Sequence, residues 1–170
     1  FADHLSLHED PFIPQGAGSS PFDEEGVRGM KRDVVENGVL NGYFLSTYSA
    51  RKLGLKSTGN AGGAYNLELR SKATEPGDDF EVMLRRLGTG LLVTDLIGQG
   101  VNYVTGDYSR GASGFWVEKG EIRYPVEEIT IAGNLRDMFR NIAGVGTDQV
   151  VRGSKVAGSV LIDGMKVGGA

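Results

Sequence analysis

The stretch Gly88–Pro125 constrains this chain more than any other. It reads GTGLLVTDLIGQGVNYVTGDYSRGASGFWVEKGEIRYP. An apolar strand, Gly90–Ile97, leads into a glycine-punctuated loop holding Thr105-Gly106-Asp107-Tyr108-Ser109-Arg110-Gly111. A second apolar strand then carries the only tryptophan, Trp116, and turns back at Lys119-Gly120. Polar, bent backbone sits between two runs that must be buried, so the scaffold presents the loop, and such loops often carry binding. The 27 glycines fall at turns between apolar runs along the whole chain, which predicts many short elements and no flexible linker.

The flanking sequence repeats this logic. Leu5 and Leu7 alternate with Ser6, a period-2 pattern that predicts a strand within Phe1–Glu9. Asp10–Gly26 holds three prolines and three glycines, which rules out a regular element there. In Met30–Ser46 two apolar runs flank Asn37-Gly38, a dipeptide suited to a type I′ hairpin turn. Thr47 is the expected N-cap of a short helix, Tyr48–Leu53, ended by Gly54. Tyr65–Lys72 alternates Leu67 and Leu69 with charges and predicts a strand with one wet face.

Asp78 is the expected cap of a helix Phe80–Leu87, whose Phe80, Met83, Leu84 and Leu87 follow i, i+3, i+4, i+7. After a strand at Val126–Ala132, Gly133-Asn134 caps a second amphipathic helix with Leu135, Met138, Phe139 and Ile142 on one face. Asp137 three residues after Asn134 is similar to a capping box. The tail, Val150–Ala170, predicts two short strands paired about Asp163-Gly164. The sum is α+β: mostly antiparallel hairpins with about three short helices, not alternating βαβ units. A length of 170 residues fits one domain, 1–170. The opening at Phe1, directly in strand-like sequence, leads to the expectation of the C-terminal region of a longer protein.

Charge and composition exclude several functions. Net charge is −4, and the basic residues are scattered in pairs at best: Lys31-Arg32, Arg51-Lys52 and Arg85-Arg86. Nucleic-acid binding calls for a basic stripe, so nucleic acid is not an expected partner. No apolar run approaches the ~20 residues of a membrane span, so no membrane association is expected. The chain has no cysteine, which removes disulfides and thiolate metal sites and fits a reducing compartment.

Among motifs, His4-Leu5-Ser6-Leu7-His8 has the HxxxH spacing of helical metal sites. On a strand the two rings stand about 13 Å apart, too far to share an ion. Asp23-Glu24-Glu25 reads either as an acidic site for a cation, amine or partner arginine, or as a solvated turn. In the central loop, Arg110 can take a carboxylate bidentately, while Asp107 and Ser109 can bond their own turn. These six residues, Asp23, Glu24, Glu25, Asp107, Ser109 and Arg110, are the candidates for binding a peptide or a partner. The glycine pairs around Gln99 and Thr89 continue to neither a GxGxxG nor a Walker lysine.

Several stretches, in this order, resemble one family: SSPFDEEGV (Ser19–Val27), ENGVLNGYFLSTYSARKLG (Glu36–Gly54), STGNA (Ser57–Ala61), VNYVTGDYSRGASGFWVEKGEIRYPVEEITIAGNL (Val101–Leu135) and SVLIDGMKVGG (Ser159–Gly169). They are similar to the C-terminal region of the TldD/PmbA family, also described as modulators of DNA gyrase, and closer to its PmbA, or TldE, branch. The resemblance covers nearly the whole chain. It implies a cytoplasmic TldD–TldE heterodimeric metalloprotease that cleaves unfolded peptides, with zinc held in the TldD subunit by a His-Glu-x-x-x-His helix and a late cysteine. This sequence has neither; Ala157 lies near where a relative can carry the cysteine. The resemblance therefore implies no catalytic residue and no metal ligand here, zinc in a partner subunit, and a TldD-like partner or a homodimer. A protein-binding regulatory module, acting as a gyrase modulator does, is the alternative.

Overall fold

The computed structural model describes residues 1–169. The expected tail strand pair ran to Ala170, which lies outside the described residues. The chain forms two compact units.

The first unit comprises Asp3–Lys72 with Gln149–Gly158. Its six-stranded sheet is built from β1 (Leu5–Asp10), β2 (Arg32–Glu36), β3 (Val39–Leu40), β4 (Asn66–Ser71), β9 (Val150–Arg152) and β10 (Lys155–Ala157), in the order β3-β2-β1-β4-β10-β9. All pairs are antiparallel except β10 on β4. Asn37 (φ 47°) and Gly38 (φ 80°) make the β2–β3 turn, both with the positive φ that a type I′ turn requires. The expected second arm shrinks to two residues. Beyond it Leu45 is pulled into the interior, exchanging hydrogen bonds with the Thr58 hydroxyl and backbone. Leu5, Val34, Val35, Leu45, Ala50 and Tyr65 form the buried apolar set of this unit.

Helix α1 (Thr47–Leu53) starts one residue earlier than expected. Ser46, not Thr47, is the cap: its hydroxyl accepts from Ser49 N, and the Ser49 hydroxyl bonds back to Ser46 N. This is a capping box made with serine in place of glutamate. Gly54, at φ 67°, closes the helix in the left-handed conformation.

The second unit comprises Phe1–Ala2, Ala73–Asp148 and the chain from Ser159 onward. Its main sheet is fully antiparallel, β12-β7-β6-β5, from β5 (Gly90–Ile97), β6 (Asp107–Glu118), β7 (Glu121–Asn134) and β12 (Lys166–Gly168). A two-stranded sheet pairs β11 (Val160–Ile162) with β8 (Ile142–Val145). Ala112, Ile129 and Ile131 make its core cluster, packed by Leu91, Val93, Tyr108, Val126 and Met165.

Helix α2 (Phe80–Leu87) spans the expected residues and buries Met83. Its cap is Asp79; Asp78 instead accepts from Glu75 N and from Arg86. Helix α3 (Leu135–Arg140) has the expected Asn134 cap, but it stops at Asn141. Ile142 belongs to β8 and is buried there, since pairing with β11 outcompetes another helical turn. The tail also departs from expectation. Asp163-Gly164 does not close a hairpin, because β11 pairs with β8 while β12 pairs with β7. The α+β class, the antiparallel hairpins and the three short helices match the reading from the sequence. Among the described residues no helix is long and apolar enough to cross a membrane.

Candidate functional site

The acidic turn and the central loop fall in different units and are described one at a time. In the first unit, Asp23 is buried at the neck of its turn. One carboxylate oxygen accepts from Glu25 N and Val27 N, each at 2.9 Å, and the other from Ala61 N at 2.9 Å. Burial works to raise its pKa, but the donors on Ala61, Val27 and Glu25 outweigh it and hold the carboxyl below its usual value. Glu25 reaches Thr47 N at 2.7 Å, where a carboxylate complements the start of α1. Glu24 is exposed and lies against Gly62, where an added Cβ would meet its carboxyl carbon at 2.8 Å. Two of the three carboxylates are thus committed to backbone N–H groups, tying Asp10–Gly26 to the Ser57–Ala61 segment and to α1.

Next to this turn lies a polar network that motif reading of the sequence did not find. Glu9 is 1% exposed, on the same strand face as Leu5. Its carboxylate accepts from Arg32 Nε at 2.9 Å, Asn60 Nδ2 at 2.8 Å and Tyr65 N at 3.0 Å. Arg32 also donates to the Tyr43 carbonyl and Asn60 Oδ1, and its guanidinium lies over the Phe44 ring. The Tyr65 hydroxyl donates to the Gly59 carbonyl at 2.6 Å. Burial and the Asp23 and Glu9 charges raise the Tyr65 pKa, which keeps it a donor. The signal was present: Glu9 occupies the inward position of the Leu5, Leu7 alternation. A charge placed there has to find a partner.

Of the two histidines, His8 lies in β1 as the alternation predicts, while His4 falls in the turn just before it. His8 contacts Asp33 across β1 and β2 (Nδ1 to Oδ1, 2.7 Å), and His4 Nδ1 sits 2.9 Å from the Ser71 hydroxyl. Both have hydrogen-bond partners and are not merely solvated. Among the described residues no three His, Cys, Asp or Glu side chains converge as metal ligands.

In the second unit the central loop is shorter than expected. It ends at Gly106, and Asp107, Ser109 and Arg110 belong to β6. The reason is ladder pairing: Asp107 faces Asn134 and Arg110 faces Ile131 across β7. Asn102 closes the turn, its Oδ1 accepting from Val104 N and Thr105 N. The Asp107 carboxylate accepts from the Thr105 hydroxyl and from Asn134 Nδ2, and Ser109 N donates to the Gly100 carbonyl. Arg110 donates from Nη2 to the Leu96 carbonyl at 3.2 Å, and its Nε is buried without a partner. The Nε–Nη2 edge, which grips a carboxylate bidentately, therefore faces the protein. Tyr103 and Val104 stand at the loop tip, 86% and 95% exposed. An open groove runs from them past Thr105, Asn134, Arg136 and Asp137.

Comparison with known proteins agrees across the whole chain. Residues 1–169 match the family model of the PmbA/TldA metallopeptidase C-terminal domain. Metalloprotease PmbA of Escherichia coli O157:H7 is 56% identical over 167 residues, which cover 98% of this chain and 36% of that protein. The Haemophilus influenzae homolog of PmbA is 53% identical with the same coverage. A crystal structure of a candidate modulator of a DNA gyrase from Thermotoga maritima superposes with a TM-score of 0.84 at 39% identity, over 98% of this chain and 40% of that one. TldE from Thermococcus kodakarensis, at a TM-score of 0.80 and 24% identity, shares the fold. The chain spans a little over a third of the length of the PmbA relatives it matches.

Proposed function

This chain belongs to the PmbA/TldA metallopeptidase family, as its C-terminal domain, and from that premise we propose that it serves the non-metal side of a TldD/TldE-type peptidase. In this reading it acts in the cytoplasm, walls the peptidase chamber and holds unfolded peptide, either with a TldD-like partner that carries zinc or as a homodimer. The observation that carries the reading is the donor set. There is no cysteine, each histidine has a hydrogen-bond partner, and the carboxylates of the acidic turn are largely tied to backbone N–H groups. Zinc, when bound in such a partner, supplies the activated water. This chain's own residues orient substrate and exclude solvent. Sheets with open edges suit that task, since an added peptide strand gains affinity through its backbone hydrogen bonds.

The test is activity by reconstitution. The isolated chain is expected to leave an unfolded peptide intact, and cleavage is expected only when a zinc-bearing TldD-like subunit is added. Zinc-dependent cleavage by the isolated chain would overturn the assignment.

The name carried by the Thermotoga maritima structure favours a second reading, a protein-binding module of the gyrase-modulator type. A pulldown that recovers gyrase and no TldD-like subunit would support it over the first.

A further inference from the structure

One surface of the first unit is absorbed by none of these roles. From Asn37 to Leu67 the sequence holds no aspartate or glutamate, although the chain has 22 of them. The same stretch contributes Arg51, Lys52 and Lys56, and all six residues from Arg51 to Lys56 are exposed. Large apolar groups accompany these cations: Tyr48 is 64% exposed, Leu53 58% and Leu55 51%. Tyr48, Arg51 and Lys52 lie on one face of α1 at i, i+3, i+4, and the Lys52 ammonium sits 5.5 Å from the centre of the Tyr48 ring. Among the described residues no carboxylate pairs with Arg51, Lys52 or Lys56.

Helix-end electrostatics account for part of this, since basic residues in a last turn complement the macrodipole. They do not account for Lys56, beyond the helix, or for the exposed apolar groups. Nor is the surface a loose loop. Ser46 and Gly54 cap both ends of α1, and Leu55 N bonds back to the Ala50 carbonyl. A rigid surface that presents aromatic and aliphatic groups among unpaired cations binds with little ordering cost. Glu25 meets α1 at Thr47 N, the opposite end from Arg51 and Lys52 in the last turn, so the charge beside these cations stays positive and complements an acidic ligand.

We propose that Tyr48, Leu53 and Leu55, with Arg51, Lys52 and Lys56, form a docking surface for extended peptides that mix acidic and apolar residues. It thereby gives the peptidase a preference for acidic substrates. The proposal rests on the peptide-holding reading above and names the substrate class.

The test uses two short fluorescent peptides that alternate leucine with either glutamate or lysine, and reads their anisotropy with the full chain at low salt. Three exposed ion pairs lead to an expected preference of roughly tenfold for the glutamate peptide. The triple variant Arg51→Glu, Lys52→Glu, Lys56→Glu is expected to erase that preference. Leu53→Ser with Leu55→Ser is expected to weaken glutamate-peptide binding while the preference remains. Thermal melts check folding, and glutamine at the three basic positions replaces glutamate if the reversal variant does not fold. Equal binding of both peptides, or an unchanged preference in the charge variant, overturns the proposal. So does binding confined to phosphatidylglycerol vesicles, which would mark a membrane surface. Cleavage assays with a zinc-bearing TldD-like subunit separate the two readings. Equal cleavage of both peptides sinks the acidic preference and leaves the peptidase reading standing. Preferential binding with no cleavage sinks the peptidase reading and leaves the surface standing.

Discussion

At the residue scale, the first unit is organised around carboxylates that the interior has neutralised by pairing. Glu9 and Arg32 are both largely buried, and Asn60 and Tyr65 N complete the shell. Removing one member of such a pair leaves an uncompensated charge. Glu9→Ala is therefore expected to cost about 3–5 kcal/mol in urea unfolding. Replacing both partners, as in Glu9→Leu with Arg32→Met, is expected to cost clearly less, because no charge is stranded. Asp23 makes a different, pH-dependent contribution. Its folded pKa lies below the unfolded value of about 3.9. Between the two values the unfolded chain binds more protons, so stability rises with pH there. The contribution is complete above about pH 4 and is lost as pH falls through the folded pKa. Asp23→Asn is expected to flatten this limb of the stability–pH curve, and an unchanged acid limb would refute it. Asp10 and Glu68, lowered chiefly by Lys31 and Arg70, keep part of the slope in that variant.

At the element scale, α1 is too short to stand on propensity and depends on its ends. Ser46→Ala removes one side of the capping box and is expected to cost about 1 kcal/mol, read from chemical denaturation. Gly59 links this helix region to the sheet. It sits at φ 71°, and an added Cβ would meet the Arg28 carbonyl oxygen at 2.5 Å. Gly59→Ala is thus expected to destabilise more than Gly54→Ala, since Gly54 has the same handed backbone but open space around it. Equal losses would show that the backbone conformation, not the close approach, is what matters. The acidic turn belongs to this scale too. Replacing Asp23, Glu24 and Glu25 together by alanine is expected to reduce folding stability, complex formation or both. If neither changes, the turn fixes nothing.

At the scale of the whole molecule, the chain crosses between its two units more than once. It leaves the first unit after Lys72, returns with Gln149–Gly158, and leaves again at Ser159. The returning segment supplies β10, which covers the edge of β4, and the Ser154 carbonyl just before it accepts from Leu67 N. Truncation after Asp148 is therefore expected to bare β4, together with β7 and β8, as sheet edges and turn the protein aggregation-prone. Light scattering on the purified fragment reads this directly, and a monodisperse fragment would contradict it.

The sequence by itself determined the local elements and the family. Period-2 alternation located β1 and β4, a 3.6-residue period located α2, and Asn37-Gly38 located the type I′ turn, because each depends on neighbours within a few residues. Long in-order segments, the central hairpin above all, carried the resemblance that the family match bears out. The tertiary structure decided the pairings. Ile142 joined a strand and not a helix, and Asp163-Gly164 closed no hairpin. Arg110 turned its carboxylate-gripping edge inward, and Glu9 went inside with Arg32 and Asn60. Each of those outcomes is set by a partner distant in sequence. A buried charge or an unpaired strand edge is stabilised by whichever group the fold brings to it, and no local pattern of residues encodes which group that is.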